Sequence, residues 1–259
     1  MVVAFGERRR HGPLPREAVR LAAIAGIFFT GDLMFWHNAI GAVGAGLATV
    51  LGNLQVIIVG FFAWLLLGER PSRMTLLALP VVLAGVILIS GVVGNGAYGS
   101  APQLGVILGI GTAICYSAYL LIIRRGGRDP RRPAGPVAIA TLFVALSAFV
   151  VGKGIGDLDL TPPIHSLFWL ALLGITSQSA GYLLISISLP RLPAIITSVI
   201  LLTQPVMSLG LAIVLLGEAP SATQLLGVGL VIGGIAAATV PIGRLRDGWQ
   251  RARPSPTNN

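Results

Sequence analysis

Asp32 is the one carboxylate set deep inside an apolar stretch of this chain. An acid near the middle of a bilayer costs a few kcal/mol on insertion scales, so it usually faces a cavity and marks a proton or solute path. Reversible protonation is the chemistry such a group suits; a structural acid hydrogen-bonded to a neighbouring Thr or Asn is the competing reading. Trp36 lies one turn further on the same helical face, where its ring could stack on a solute or sit over a cation, or serve as an interfacial anchor. Asn53, Gln55, Gln178 and Gln204 are amides at membrane depth. Buried amides need partners, so they either bind helices together or offer donors and acceptors to a polar solute. Tyr119 and Tyr182, with Tyr116, are further candidates to line a cavity. His37, one position past Trp36, is read as a solvated or hydrogen-bonded histidine.

The elements that hold these residues are apolar spans. The chain is 54% hydrophobic and only 10% charged, with a mean hydropathy of +0.86, against roughly 25% charged residues in ordinary soluble domains. An integral membrane protein in contact with the lipid bilayer follows. A net charge of +9 would suggest nucleic acid in a soluble chain; here the arginines fall between spans and report topology, so no nucleic-acid partner is expected. Eight spans are predicted: Glu17–Ile40, Ala42–Leu67, Arg73–Val93, Gln103–Ile123, Pro136–Val151, Ile164–Leu189, Arg191–Leu216 and Ser221–Ile242. Each is long enough to cross roughly 30 Å of hydrocarbon or nearly so. Pro80 is expected to kink the third. With this partition, every Lys and Arg except Lys153 falls on one side. Positively charged loops mark the cytoplasm, so both termini are expected inside the cell, and the membrane is expected to be the cell's inner one. Trp64 falls near the inner end of its span, Trp36 and Trp169 near outer ends, as interfacial belts require.

One segment occurs twice. A shift of 149 positions carries Leu67-Gly68-Glu69-Arg70-Pro71-Ser72 onto Leu216-Gly217-Glu218-Ala219-Pro220-Ser221, Gln55 onto Gln204 and Gly85 onto Gly234. A fixed offset between such segments means one structural unit used twice. Five crossings separate each helix from its echo, so the two copies have opposite orientation. Inverted repeats of this kind build secondary carriers, whose site lies near the midplane between the copies. The predicted organisation is therefore an N-terminal segment 1–16, a three-helix unit 17–93, a linker 94–102, a five-helix unit 103–242 and a basic tail 243–259. The second unit has two helices that the first does not match, so two more are expected before Met1, with residues 1–5 as the end of one and a basic loop after it. Small-residue ridges, Gly44-x-x-x-Ala48-x-x-x-Gly52, Gly105-x-x-x-Gly109 and Gly229-x-x-x-Gly233, are expected at close helix crossings. Cys115 reads as a small buried side chain.

The run Gly26-Ile27-Phe28-Phe29-Thr30-Gly31-Asp32-Leu33 with Trp36-His37, then Ala48-Thr49, Leu51 and Asn53-Leu54, and the repeated Leu-Gly-Glu turn resemble EamA-type members of the drug/metabolite transporter superfamily, over about residues 16–242. The resemblance implies an all-α polytopic fold of two inverted five-helix units, here with the N-terminal unit incomplete. It also implies a secondary carrier, commonly an exporter, of an amino acid, metabolite or drug. Proton coupling through Asp32 is the expected mechanism, with Asp32, Trp36, Asn53, Gln55, Tyr119, Gln178, Tyr182 and Gln204 as the solute site. The alternative is an inert fragment or an accessory membrane subunit. No cofactor and no metal are expected, since no ligand cluster, phosphate loop or catalytic triad stands in the sequence; a homodimer remains an open arrangement.

Overall fold

The computed structural model describes residues 2–89, 101–127, 129, 131–156, 161–216 and 221–239. The Gly94–Pro102 linker up to residue 100, the Glu218 turn and the basic tail lie outside the described residues. The described ones form helices: α1 (Val2–His11), α2 (Arg16–Asn53), α3 (Gln55–Leu67), α4 (Arg73–Ile89), α5 (Pro102–Gly126), α6 (Ala134–Ile155), α7 (Ile164–Leu173), a π-helical segment (Gly174–Gly181), α8 (Tyr182–Ser188), α9 (Ala194–Leu201), α10 (Thr203–Leu216) and α11 (Ala222–Thr239). Five stretches are apolar and long enough to cross a membrane, and the first of these, Arg16–Leu67, is 52 residues long. Two further apolar helices, Arg73–Ile89 and Ala222–Ala238, are shorter.

The 52-residue stretch is two crossings. Gly44 breaks its helical geometry with φ 81° and ψ 160°, a conformation open to glycine because it has no Cβ. The chain reverses there. A Cβ on Gly52 would lie 4.0 Å from the Trp36 ring, although sixteen residues of straight helix would hold them about 24 Å apart. Ala22 and Ala25 likewise share one core cluster with Val59 and Ala63. Among the described residues this makes six apolar stretches of crossing length beside the two shorter apolar helices, with the first turn at Gly44 rather than at Gly41. The N-terminal run also differs: α1 continues through Arg8–Arg10 to His11, where a basic loop is expected. Pro80 lies inside α4, which continues across it.

Helices related by the repeat pack on each other antiparallel. Gln224 of α11 donates its side-chain amide to the Ile89 carbonyl at 3.3 Å. A Cβ on Gly85 would stand 2.7 Å from the Gly227 carbonyl oxygen, one on Gly227 would stand 2.6 Å from the Gly85 carbonyl oxygen, and Gly234 abuts Val82. Residue order thus falls along α4 as it rises along α11, which is what inverted copies require. In the same sense Gly60 of α3 meets Ile195 of α9, and Val56 and Val199 share a core cluster. The matched segments also break alike: the second span is interrupted at Leu54 and the seventh at Leu202. Gly229 and Gly233, expected at a crossing, have nothing within 4 Å of an added Cβ. They point away, and Gly227 and Gly234 make the contact instead.

The repeated turn has a local explanation. Gly68 takes φ 69° just past α3, and the N–H groups of Gly68 and Glu69 close on the Trp64 and Ala63 carbonyls, the left-handed helix stop that favours glycine. Ser72 then accepts a 3.0 Å hydrogen bond from the Thr75 N–H. Its counterpart Ser221 accepts one from the Gln224 N–H at 3.3 Å, while the Gln224 side chain accepts from the Ser221 N–H at 2.9 Å, a capping box. In the first copy, Gly68 to Ser72 therefore stops one helix and starts the next.

Substituting Gly85 by Ala should force the α4–α11 backbones apart and cost about 1–3 kcal/mol, whereas Gly229→Ala should leave stability essentially unchanged. Thermal unfolding of the two variants in detergent checks this; equal behaviour would refute the crossing.

Candidate functional site

α5 carries the site's spine. Its residues Thr112 to Tyr119 face α2 on one side and α3 on the other, because small residues let three backbones converge. Gly31 lies against the Cys115 sulfur and Gly111 against Phe35. Ser117 donates to the Gln55 backbone carbonyl at 3.2 Å as well as to Ala113 at 2.6 Å. Asp32 is buried, at 8% exposure, at the level of Cys115. Among the described residues no side chain hydrogen-bonds it.

Below Asp32 four rings interlock. Phe29, one turn before Asp32, stacks on Tyr119 with centroids 4.8 Å apart and meets Tyr182 at 4.7 Å. Tyr119 contacts Tyr116 at 6.0 Å and Tyr182 edge-on at 5.7 Å. Such pairs each contribute about 0.5–1.5 kcal/mol beyond burial, so the cluster fixes the first, fourth and sixth spans to one another. Gln55 is buried at 3% exposure, and among the described residues its side-chain oxygen, like the Thr112 hydroxyl, has no partner. A buried acceptor left unpaired costs about 1–3 kcal/mol, so these two atoms hold unused hydrogen-bonding capacity.

The structure thus brings Asp32, Gln55, Tyr119 and Tyr182 to one depth along α5. Trp36 lies beside Gly52 and is partly exposed; Asn53 is half-buried next to that contact. Gln178 is half-buried on the π-helical segment, one turn before Tyr182, and Gln204 is exposed at the start of α10. Gln204 is thereby on the surface, although it matches Gln55 in the repeat. Phe29 was not among the sequence candidates, and its spacing of three from Asp32, which puts both on one helical face, was the available signal. Thr112 and Ser117 carried no signal beyond lying one turn from each other's neighbours. No group of three or more potential metal ligands occurs among the described residues.

On the arginine-bearing side, two carboxylates tie the halves together. Glu69, from the repeated turn, pairs with Arg124 at the end of α5 and accepts a 2.8 Å hydrogen bond from the Ala194 N–H at the start of α9. Glu7 of α1 accepts from the Ala134 and Gly135 N–H groups at 3.0 and 2.9 Å, capping α6. A carboxylate at a helix N-terminus is favoured by the unpaired N–H groups and the helix dipole. Partial burial pushes the Glu69 carboxyl up, but the Arg124 and Ala194 hydrogen bonds and the Arg124 charge outweigh it and hold the carboxyl below its usual value.

An all-helical bundle of apolar helices, five of its stretches long enough to cross a membrane among the described residues, fits a polytopic membrane protein. The EamA-like transporter family matches residues 1–91 and 103–240, and the chain belongs to that family. Among curated proteins it is similar to the uncharacterised transporter YwfM of Bacillus subtilis, 26% identical over 84% of this chain and 70% of that one. It is also similar to the aromatic amino acid exporter YddG of Ancylobacter novellus, 26% identical over 84% of this chain and 74% of that one. The uncharacterised protein PA1977 of Pseudomonas aeruginosa is 32% identical over 76% of this chain and 65% of its own length. A solved crystal structure superposes with a TM-score of 0.73 at 25% identity, covering 92% of this chain and 84% of that one.

Glu69→Ala should remove a helix cap and an ion-pair partner together, at a cost of about 1 kcal/mol. Because the folded carboxyl titrates below its ordinary value of 4.5, its stabilising effect is complete above that pH and fades as pH falls through the lowered value. Unfolding temperatures measured between pH 7 and pH 3 should converge for wild type and variant at the acid end; parallel curves would show that the carboxylate contributes nothing.

Proposed function

We infer that this chain is a secondary carrier of a small organic solute, such as an amino acid, a metabolite or a drug, and that it exports the solute in exchange for protons taken up through Asp32. The observation that supports the reading is Asp32 itself: a buried acid with no hydrogen-bonding side chain among the described residues, one turn from the Phe29 ring that stacks on Tyr119. An acid so placed exchanges its proton more readily than one locked by partners. Asp32, Trp36, Asn53, Gln55, Tyr119, Gln178, Tyr182 and Gln204 are proposed to meet the solute over the transport cycle. Gln178 and Gln204 join only if their helices close inward. The rings of Phe29, Tyr119 and Tyr182 favour a solute with an aromatic group, and the likeness to a protein named as an aromatic amino acid exporter supports that. The arginine-bearing side is taken as the cytoplasm of an inner-membrane protein, where the Glu69 contacts hold the path closed.

A second reading has its own observation. None of Ile164–Leu173 is buried, which leaves α7 with apolar surface open, as in a subunit that packs beside another membrane protein. Reconstitution separates the two.

In liposomes with an imposed pH gradient, the purified chain should accumulate labelled aromatic amino acids, and Asp32→Asn should reduce this to the protein-free baseline while inserting normally. Undiminished uptake by the variant would end the coupling role of Asp32. Absence of uptake by wild type across a broad solute screen would favour the accessory reading.

A further inference from the structure

Where the first, second and fourth spans reach the arginine-bearing side, they leave a cleft of about 550 Å³ lined by Glu17, Arg20, Leu21, Ile24, Leu66, Leu67, Leu121, Ile122 and Arg125. Its chemistry is layered. Arg20 stands one helical turn from Ile24, and Arg125 one turn from Leu121, so each cation sits above an apolar side chain on the same face. Ile24 and Leu66 are 41% and 67% exposed, which leaves the lower layer open on its side. Neither Arg20 nor Arg125 pairs with a carboxylate among the described residues, whose ion pairs are Arg124–Glu69 and Arg132–Asp129. Glu17 is the one acid in the cleft, against two unpaired cations.

A second cleft of about 310 Å³ adjoins it through Leu67, Leu121 and Arg125 and is lined also by Glu69, Arg124 and Pro190. Arg124 spends one terminal nitrogen on Glu69; its other, Nη1, is buried and has no acceptor among the described residues. Buried donors are almost always satisfied, so an acceptor oxygen is missing from this corner.

We propose that this cleft binds an anionic phospholipid, with the phosphate between Arg20 and Arg125, within reach of Arg124 Nη1, and an acyl chain along Ile24, Leu66, Leu121 and Ile122. Basic pockets between transmembrane helices at the cytoplasmic surface suit acidic headgroups. The excess of cations over Glu17 selects a headgroup of net negative charge over a zwitterionic one. Bound there, the lipid joins the first, second and fourth spans on the side where Glu69 already joins the fourth to the seventh.

Native mass spectrometry of the purified full chain, offered phosphatidylglycerol, phosphatidylethanolamine and phosphatidylcholine of identical acyl chains, tests this. Wild type should retain phosphatidylglycerol preferentially, and Arg20→Gln with Arg125→Gln should lower that preference about tenfold. Arg20→Lys with Arg125→Lys should keep most of it, and Glu17→Gln should leave it equal or raise it. Ile24→Trp with Leu66→Trp fills the apolar layer and should lose the lipid with both arginines present, which serves if the glutamine variant does not fold. Excess glycerol 3-phosphate should not displace the lipid. Unchanged preference in the glutamine and tryptophan variants would overturn the site. So would phosphatidylethanolamine bound better than phosphatidylglycerol, or displacement by glycerol 3-phosphate, which would make it a site for soluble phosphate esters.

Discussion

Apolar side chains gain nothing by leaving lipid for protein, so helices in a bilayer hold together where backbones can approach and where polar groups must be satisfied. The contact of α4 with α11 is the clearest instance. Gly85 and Gly227 meet carbonyl to α-carbon in both directions, and Gly234 lies against Val82. Helices of the two copies can therefore cross with almost no side chain between them. Everything inward of that contact depends on it, since α3 and α9 pack on the same cluster of Val56, Val82, Val199 and Val231.

At the arginine-bearing surface, cohesion comes from a different source. Two glutamates from the N-terminal half cap two helices of the C-terminal half, Glu69 at Ala194 and Glu7 at Ala134. Arg132 adds donors to the Gly12 and Pro13 carbonyls. These contacts lie at the water boundary, where they can exchange with solvent at modest cost, whereas the glycine contact within the bilayer has no such alternative. The bundle is thus pinned firmly at its apolar crossing and reversibly at its polar end.

Much of the fold was legible in the sequence because lipid imposes length and composition on every span, and because the Gly-Glu-x-Pro-Ser turn repeats with its capping serines intact. The opposite orientation of the copies followed from counting crossings; that matched helices pack on each other did not. The position of the first turn did not: Gly41 and Gly44 are equally glycine, and which of them takes a positive φ is decided by where Val43 and Leu51 fit against Gly105 and Gly109. Gly229 and Gly233 show the same gap, since spacing marks a small ridge without saying which ridge meets a partner. At the site, the isolated Asp32 stood out by charge alone. Phe29 did not, because an aromatic residue in an apolar span is ordinary until the tyrosines of two other spans arrive beside it. Likewise the turn glutamate was visible, but its grip on Arg124 and Ala194 spans more than fifty residues of chain in one case and more than a hundred in the other.

The π-helical segment Gly174–Gly181 sets the rotational phase of the sixth span. A wider turn holds more residues than an α-helical one, so α8 is rotated about its axis relative to the continuation of α7. Above the segment, α7 turns its side chains outward, with none buried; below it, Tyr182 enters the rings and Ser186 reaches the Pro133 carbonyl. The span therefore behaves as two helices of different azimuth on one axis. Converting the wide turn to an α-helical one would swing Tyr182 around the axis and lengthen the span, so facing and reach change together.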